Sequence, residues 1–371
     1  MKKILLVLMI FITIITLSAC SKKEENTILI YNPYEGIDWD TINHFIANLH
    51  GHTTHSDGGL APAELVDLYH SIEYSILAIT DHDDQILTTT WPWTAFSELM
   101  DNNPYEWENR DPEALGMLAV PGNEYSINHH FVGLFTTYMT EDDEALDTTM
   151  TNLCNETGVV TYLAHPGRYW KVYTEYQDED EFSPAWYRDI FTRYSAECLV
   201  GMEVYSQQNR HPHDKVLWDM LLTMMMPHRP IFGLGSDDYH RLKAGWSATV
   251  HLMDNLNEAD LRDSLTSGQF FTHYTQTETE QAPIIERIII NTEERYIEII
   301  SPDAEEIRWY SGINDGVLTS RVVHTGSRFY YGAFEGSYVR AEAIKNEANV
   351  RRAYTILQPF GFTQLTEENT R

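Results

Sequence analysis

The sequence predicts an α/β fold with a largely parallel sheet, either an α/β barrel or a doubly wound sheet, followed by a small antiparallel β domain. Two observations predict the α/β part. Short strand-like runs alternate with helix-length segments from residue 45 to about 270, and the runs are continuously apolar, as parallel strands covered on both faces are. The third observation is that period-2 alternation with turn residues replaces helical spacing from about Pro283.

The chain begins with a targeting segment. Two lysines precede an uncharged apolar run, residues 4–17, which is too short to span a bilayer because a spanning helix takes roughly 20 residues. This pattern predicts a secretory signal peptide, residues 1–19, with a short membrane anchor as the alternative. The ending LSAC resembles the lipobox of bacterial lipoproteins. The resemblance implies lipidation of Cys20, a membrane-anchored protein outside the cytoplasm, and a tether over residues 20–43.

The predicted α/β domain covers residues 44–275. Its candidate strands are FIANLH, SILAIT, MLAVPGNE, HFVGLF, GVVTYLAH, LVGMEVYS and PIFGLGSD. Its candidate helices are APAELVDLYHSI, EDDEALDTTMTNLCNET, SPAWYRDIFTRYSA and HDKVLWDMLLTMMM. The predicted β domain, residues 283–371, contains alternating runs such as RYIEIIS and RFYYGAF.

The charge and the cysteines limit the partners and the cross-links. Because 25 basic residues face 56 acidic ones, the formal net charge is −31, which repels phosphate backbones at long range and disfavours nucleic acid as a partner. With Cys20 lipidated, only Cys154 and Cys198 remain. They form either a disulfide, in an oxidising compartment, or two buried free thiols.

The stretch NLHGHTTHSDGG, residues 48–59, contains the first candidate metal ligands. Since alternate residues of a strand point to one face, His50 and His52 can share one metal ion. The alternative is a polar strand end. Residues of the same type recur at the ends of further strands, and in α/β barrels such ends converge on one site. They are Asp81, His82, Asp83, Glu124, His129, His130, His165, Glu203, Asp238 and His240.

Five motifs in this order, NLHGHTTHSDGG, ITDHDD, PGNE, AHPGR and GSDDYH, resemble those of the PHP (polymerase and histidinol phosphatase) superfamily. The resemblance covers about residues 48–241. It implies a distorted (β/α)7 TIM-like barrel, a cluster of two or three metal ions and hydrolysis of phosphoesters. LTSGQFF, followed by a β-rich tail, is similar to the extracytoplasmic members of that superfamily.

The same resemblance implies which residues hold each ion. His50, His52, Glu124 and Asp238 would hold the first metal. Glu124 would bridge to a second metal held by His130 and His165, and Asp57, His82 and His240 would hold a third. His129 is the alternative to His130, and Asp237 is the alternative to Asp238, although only Asp238 has the D-x-H spacing to His240.

Four further residues are candidates with open alternatives. Arg168 follows AHPG and would contact a substrate phosphate through a forked pair, or form a surface salt bridge. Glu203 would orient a ligating histidine or face substrate. His55 would point away from the cluster or orient a ligand. His211, in the segment HPH, is predicted to lie in an uninvolved loop because of the adjacent proline and polar residues.

Mixed imidazole and carboxylate ligands suit Zn, Mn or Fe. The expected reaction is hydrolysis of a small phosphomonoester by a hydroxide that bridges two of two or three divalent ions, with Glu124, Asp238 and Arg168 as the catalytic residues. Two alternatives remain. One is a 5′-to-3′ exonuclease or phosphodiesterase acting on oligonucleotides, and the other is a metal-binding surface lipoprotein without turnover.

Overall fold

A computed structural model describes most of the chain from Asn26 to Leu365. The described residues are 26–86, 88–90, 110–141, 144–170, 180–241, 243–276, 281–312, 320–347 and 351–365. The predicted signal peptide (1–19), the predicted lipidation site Cys20 and residues 21–25 of the predicted tether lie outside these ranges. Within them, no helix combines the length and apolar character that crossing a membrane requires.

Six α-helices form in the described residues. They are α1 (Pro62–Ser71), α2 (Pro112–Leu115), α3 (Leu146–Asn155), α4 (Pro184–Arg193), α5 (His213–Met225) and α6 (Glu258–Ser267). The helix starts follow local chemistry. Ser183 caps α4 and Asn257 caps α6 by accepting a backbone N–H, and α6 ends at Gly268, whose φ of 81° suits glycine.

The predicted strand runs all form strands. From the N-terminal side, the strands are β1 (Thr27–Tyr31), β2 (Asn43–Asn48), β3 (Ile76–Ala78), β4 (Leu118–Val120), β5 (Gly122–Ser126), β6 (His130–Leu134), β7 (Val160–Leu163), β8 (Leu199–Tyr205), β9 (Phe232–Gly235), β10 (Ser247–Met253) and β11 (Phe270–Tyr274). Beyond them lie β12 (Arg287–Asn291), β13 (Tyr296–Ile300), β14 (Glu306–Gly312), β15 (Ser320–Thr325), β16 (Arg328–Tyr330), β17 (Tyr338–Glu347), β18 (Arg351–Leu357) and β19 (Phe360–Gln364). The predicted mixed α/β fold is confirmed.

The predicted closed barrel is not found among the described residues. The strands of the α/β part divide between two sheets instead. In the five-stranded sheet the order is β5-β6-β7-β8-β9, with parallel pairing only from β7 to β9. In the other sheet β2, β3 and β4 are parallel, and β10 lies antiparallel between β2 and β11.

Two features account for the openings between the sheets, one at β4 and β5 and one at β9. Pro121 separates β4 from β5, and proline has no N–H for a strand ladder. At the other opening the free edge of β9 is covered by side chains: the Gln358 amide donates to Gly233 O and accepts from Gly233 N, both at 2.9 Å. Thr272 also donates to Gly233 O at 2.5 Å. Side chains thus occupy the positions that a neighbouring strand would fill.

The C-terminal strands are antiparallel, as predicted, but most of them extend the larger sheet instead of forming a separate one. β18 pairs with β11, so the larger sheet runs on as β1-β19-β17-β18-β11-β10-β2-β3-β4, with β14 and β15 attached at β17. A third sheet contains β12, β13 and β16. The predicted tether also differs from the structure, because its residues 27–31 form β1, which pairs with β19.

Apolar side chains fill the space between the two large sheets, where Ala47, Ile76, Val132, Tyr162 and Phe232 are buried together. Another core lies where α3, α4 and α5 cover the five-stranded sheet, and it includes Tyr338 and Ile356 of the C-terminal strands. Cys154 and Cys198 form a disulfide with a Cα–Cα distance of 5.5 Å. The alternative of two free thiols is therefore not what the structure shows.

Candidate metal centre

The two histidines of the HGH motif lie directly after β2. Both side chains are fully buried, and His50 Nε2 lies 3.1 Å from His52 Nε2. The backbone between them is fixed because Gly51 forms a parallel bridge with Tyr239, and His52 N donates to Tyr239 O at 2.8 Å. This bridge places the HGH segment beside the Asp238–His240 segment that follows β9.

Glu124 lies at the centre of a cluster of imidazoles. It is a fully buried residue of β5. Its two carboxylate oxygens face five imidazole nitrogens. Oε1 lies 2.9 Å from His130 Nδ1 and 3.0 Å from His165 Nε2, and Oε2 lies 3.0 Å from His82 Nδ1, 3.2 Å from His52 Nε2 and 3.3 Å from His50 Nε2. The five histidines follow β2, β3 and β7 or begin β6, and Glu124 itself is the middle residue of β5.

Asp238 and Asp57 extend the cluster in two directions. Asp238 is buried, and its Oδ1 lies 3.2 Å from His52 Nε2, 3.3 Å from His240 Nδ1 and 3.4 Å from His50 Nε2. Asp57 is half-exposed, and its Oδ1 lies 3.2 Å from His240 Nε2 and 3.5 Å from His82 Nε2. The nine predicted metal ligands therefore lie in one connected cluster.

When the ligand atoms are grouped by distance, the sets differ in part from the predicted assignment of ligands to three ions. Ligand atoms within 4.8 Å of one another form four sets: His52 with Asp57, His82 and His240; His50 with His165 and Asp238; His50 with His52 and Glu124; and His82 with Glu124 and His130. The first set contains the predicted third site plus His52. The predicted second site is divided, because His165 groups with Asp238 while His130 groups with His82.

The donor atoms suit divalent cations. Two ligands of one ion at bond lengths near 2.1 Å lie about 3.0–3.4 Å apart. Seven of the nine distances from Glu124 and Asp238 to imidazole nitrogens fall in this range. Glu124 Oε2 and Asp238 Oδ1 are buried, yet no hydrogen bond in the structure satisfies either atom. Buried carboxylate oxygens without hydrogen bonds are costly unless a cation binds them.

The electrostatics of the cluster favour positive charge. Burial alone would lower the pKa of His50, but Asp238, Glu124 and Glu203 together raise it well above 6.5. Burial also opposes a positive charge on His52, but the nearby carboxylates of Asp238 and Glu124 outweigh burial and raise the pKa of His52 to about 9. The imidazoles in turn hold the pKa of Glu124 well below its usual value in spite of burial. A metal cation at this place would satisfy the same carboxylates.

Glu203 holds His50 and His165 in position through hydrogen bonds. It is a fully buried residue of β8, and its Oε1 accepts a hydrogen bond from His50 Nδ1 at 2.8 Å and a short one from Ser236. Its Oε2 accepts from the backbone N–H of His165 at 2.8 Å. With its proton on Nδ1, His50 presents the lone pair of Nε2 to the cluster.

The backbone is strained at two of the predicted ligands. His165 has a φ of 29° and Asp238 a φ of 44°, both in the left-handed region that costs side-chain-bearing residues about 1–3 kcal/mol. The surrounding structure holds both. Glu203 accepts the His165 N–H, and Gln207 Nε2 donates to Asp238 Oδ2 at 2.7 Å.

Three of the alternative residues have other partners. His129 is buried with Nδ1 donating to His130 O at 2.8 Å and Nε2 accepting from Tyr187 OH at 3.0 Å, away from Glu124. His55 Nδ1 lies 3.2 Å from Thr90 Oγ1. Asp237 accepts hydrogen bonds from Tyr69 OH and from three backbone N–H groups in residues 245–247.

Asp81 supports the loop that contains Asp57 instead of joining the cluster. Its carboxylate accepts hydrogen bonds from the backbone N and the hydroxyl of Thr53, both at 2.7 Å, and from Ser56 Oγ at 2.6 Å. Asp83 similarly accepts from the backbone N of Ser126, at 3.3 Å. Both acidic residues of the DHDD motif that flank His82 are therefore structural.

A cavity of about 730 Å³ opens over the cluster. Arg168 lines it, with its guanidinium 5.7 Å from the Tyr169 ring centre. His211, predicted to lie in an uninvolved loop, also lines the cavity, with its ring 5.7 Å from that of His165. The sequence analysis missed Gln207, Arg210 and Arg241 as lining residues. Their positions in the loops that follow β8 and β9 are the sequence signal that could have identified them.

Comparison with known proteins adds little to this description. No family model matches the chain, and no curated protein matches it. Among solved structures, the chain resembles a two-domain protein from Bacteroides vulgatus ATCC 8482 that contains a predicted PHP-like metal-dependent phosphoesterase. The match has 12% identity and a TM-score of 0.46, and it covers 85% of this chain and 95% of that chain. The function of this chain is therefore inferred from its own site.

Proposed function

We propose that this protein is a metal-dependent phosphohydrolase of the PHP superfamily that cleaves a small phosphomonoester. The observation that supports the proposal most directly is the buried pair Glu124 and Asp238. Their carboxylates converge with six imidazoles at distances typical of ligands around shared ions, and each retains an oxygen without a hydrogen bond.

Two or three ions of Zn, Mn or Fe fit this donor set, because imidazole nitrogens and carboxylates are mixed. The ligands would be His50, His52, Asp57, His82, Glu124, His130, His165, Asp238 and His240. Ions bound here would supply Lewis acidity towards phosphoryl oxygens and would lower the pKa of water towards neutrality.

The chain's own groups have three tasks in this proposal. Glu124 touches more of the imidazoles than Asp238 does and bridges the parts of the cluster. Glu203 keeps the Nε2 lone pair of His50 available for a metal. Arg168, at the exposed edge of the cavity, would donate a forked pair of hydrogen bonds to phosphoryl oxygens and so hold the substrate over the ions.

The cellular location is part of the same proposal. The apolar run and LSAC favour export and lipidation at Cys20, so the enzyme would act outside the cytoplasm on the membrane surface. The disulfide between Cys154 and Cys198 is consistent with an oxidising compartment. Replacement of Cys20 by Ala should abolish lipid labelling and release the protein from the membrane fraction. Normal labelling of that variant would contradict the assignment.

Turnover of two model substrates tests the reaction. The protein from Ser21 onward should contain at least two equivalents of transition metal by mass spectrometry and should hydrolyse 4-nitrophenyl phosphate. Hydrolysis of bis(4-nitrophenyl) phosphate alone would instead indicate a phosphodiesterase. Bound metal without turnover of either compound would indicate a binding lipoprotein, and a protein that takes up no metal would refute the proposed centre.

A further inference from the structure

We infer that the substrate is a small polar phosphoester with a second anionic group, recognised by arginines around the metal centre. The inference rests on the proposed function and specifies its substrate class. Three arginines line the cavity over the cluster: Arg168, Arg210 and Arg241. They come from three different segments, the turn after β7, the loop after β8 and the loop after β9.

These three arginines have no carboxylate partner within 4.0 Å among the described residues. Eight other described arginines do have one, and Arg229, Arg295, Arg321 and Arg352 do not. What sets Arg168, Arg210 and Arg241 apart is that they line one cavity together, on a chain whose acidic residues outnumber its basic ones by 56 to 25. Three guanidinium groups without a carboxylate partner around one cavity provide a place for anions from outside the protein.

A single phosphoryl group does not require all of this charge. Divalent ions in the cluster would already neutralise the scissile phosphoryl group, and Arg168 is the arginine closest in sequence to a proposed ligand on the β7 side, His165. Arg241 directly follows His240, on the side of the cluster where Asp57 lies. Positive charge is therefore available on both sides of the proposed ions. With Arg168 beside the scissile phosphoryl group, the side of Arg241 suits a second anionic group.

The loop after β8 is built to hold Arg210 in place. Its residues Gln207, Gln208 and Asn209 have φ values of 43°, 61° and 61°, three consecutive left-handed residues, a conformation that persists only where other contacts enforce it. Gln207 supplies those contacts on both sides. Its Nε2 donates to Asp238 Oδ2 at 2.7 Å, and its Oε1 accepts from Arg210 Nη1 at 2.8 Å. Gln207 thus positions Arg210 relative to a proposed metal ligand.

The walls of the cavity define the rest of the substrate. Every described residue that lines the cavity has a carboxylate, imidazole, guanidinium, amide or hydroxyl group. Such walls can form hydrogen bonds with hydroxyl and carboxylate groups, and they offer little dispersion or hydrophobic gain to an apolar leaving group. A phosphorylated hydroxy acid or a polyol bisphosphate has the matching chemistry.

Binding of matched phosphonates to the metal-loaded protein tests the inference without turnover. Butylphosphonate and 4-phosphonobutyrate differ by one carboxylate, and neither is hydrolysed. By calorimetry, 4-phosphonobutyrate should bind at least about tenfold more tightly, which is the effect of one charge-assisted pair of about 1.4 kcal/mol. In turnover, 3-phosphoglycerate should have a higher kcat/KM than glycerol 3-phosphate for the same reason.

Two variants and a control locate the effect. Arg210→Gln or Arg241→Gln should reduce the affinity ratio of the two phosphonates by about tenfold. Arg328→Gln, which removes an exposed arginine on β16 that pairs with Glu298, should leave the ratio unchanged. Equal affinity for the two phosphonates, or a ratio that neither cavity variant changes, would overturn the inference and leave the proposed function standing. Failure of both phosphonates to bind would contradict the proposed function as well.

Discussion

Replacement of Glu203 by Gln is the most informative perturbation of the proposed centre, because Glu203 would touch no metal. Its two oxygens accept hydrogen bonds from three donors, His50 Nδ1 at 2.8 Å, the backbone N of His165 at 2.8 Å and Ser236 Oγ. A Gln side chain has the same shape but one NH₂ group in place of an oxygen. In either orientation, that NH₂ faces a donor.

The consequence depends on which donor loses its acceptor. If the NH₂ faces His50, the imidazole moves its proton to Nε2, the nitrogen that faces Glu124 and Asp238, and this nitrogen can no longer bind a metal. If it faces His165, the strained backbone at φ 29° loses its support. Loss of such an orienting carboxylate typically weakens metal binding 10–100-fold, or about 1.4–2.8 kcal/mol.

Competition with a chelator of known affinity measures this loss. The Glu203→Gln protein should fold, as judged by a cooperative thermal transition of the metal-free form, and should release metal at a 10–100-fold lower chelator concentration. Glu306→Gln provides a matched control, because Glu306 pairs with Arg308 near the surface of β14. Metal affinity in Glu203→Gln equal to that of the control would refute the view that Glu203 sets the His50 tautomer.

Four further predictions concern the proposed centre, a buried ion-pair network and the disulfide. Glu124→Gln removes the charge between five imidazoles, so bound metal by mass spectrometry should fall and turnover should drop at least about 100-fold, or about 2.7 kcal/mol in barrier. Arg340→Met leaves two buried carboxylates without their guanidinium partner and should cost about 3–5 kcal/mol in urea unfolding. Burial raises the pKa of Glu342, but neighbouring cations lower it more, to about 2. The contribution of ionised Glu342 to the free energy of unfolding should therefore be complete above the pKa of the unfolded chain, about 4.5, and should be lost as the pH falls towards 2. Cys154→Ser removes a disulfide whose ends are 44 residues apart, so the free energy of unfolding should fall by about 4 kcal/mol. Reduction of the Cys154–Cys198 disulfide in the unmodified protein should have the same effect.

Specific outcomes would contradict these predictions. Arg328→Met, at the surface of β16, should leave the free energy of unfolding nearly unchanged, and an equally small effect of Arg340→Met would show that the buried network adds nothing. Full metal content in Glu124→Gln would remove that residue from the centre. Unchanged unfolding after reduction would show that the cross-link does not constrain the unfolded chain.

The ligand-type residues could be identified in sequence because their signals are local. His50 and His52 follow the apolar run of β2, Glu124 follows that of β4, and Asp238 follows that of β9. Strand ends are visible in hydrophobic periodicity, and strand ends on one edge of a sheet converge. The assignment of residues to individual ions was less accessible, since it depends on distances of a few tenths of an ångström between side chains from different strands.

The open barrel could not be predicted, because its cause lies far apart in the chain. The edge of β9 is covered by Gln358, which is 125 residues from its partner Gly233. Nothing in the local pattern around PIFGLGSD indicates that an amide side chain replaces a neighbouring strand. The lining role of His211 was missed for a similar reason: the left-handed turn at residues 207–209 directs the loop back over the cluster, and Gln and Asn give only a weak signal for that conformation.

The C-terminal strands are part of the same structural unit as the proposed centre, and α5 connects the two. Near its start, Asp214 accepts the N–H of Gly167 at 2.5 Å and so fixes the turn that contains Arg168. The next residue, Lys215, bonds Glu342, and Asp219, just over one turn further along α5, forms a bidentate pair with Arg340. This buried network holds α5 against strand β17. Because a helix transmits displacement along its axis, strand β17 constrains the position of a cavity wall. A simple spacer between membrane and enzyme would need none of these contacts.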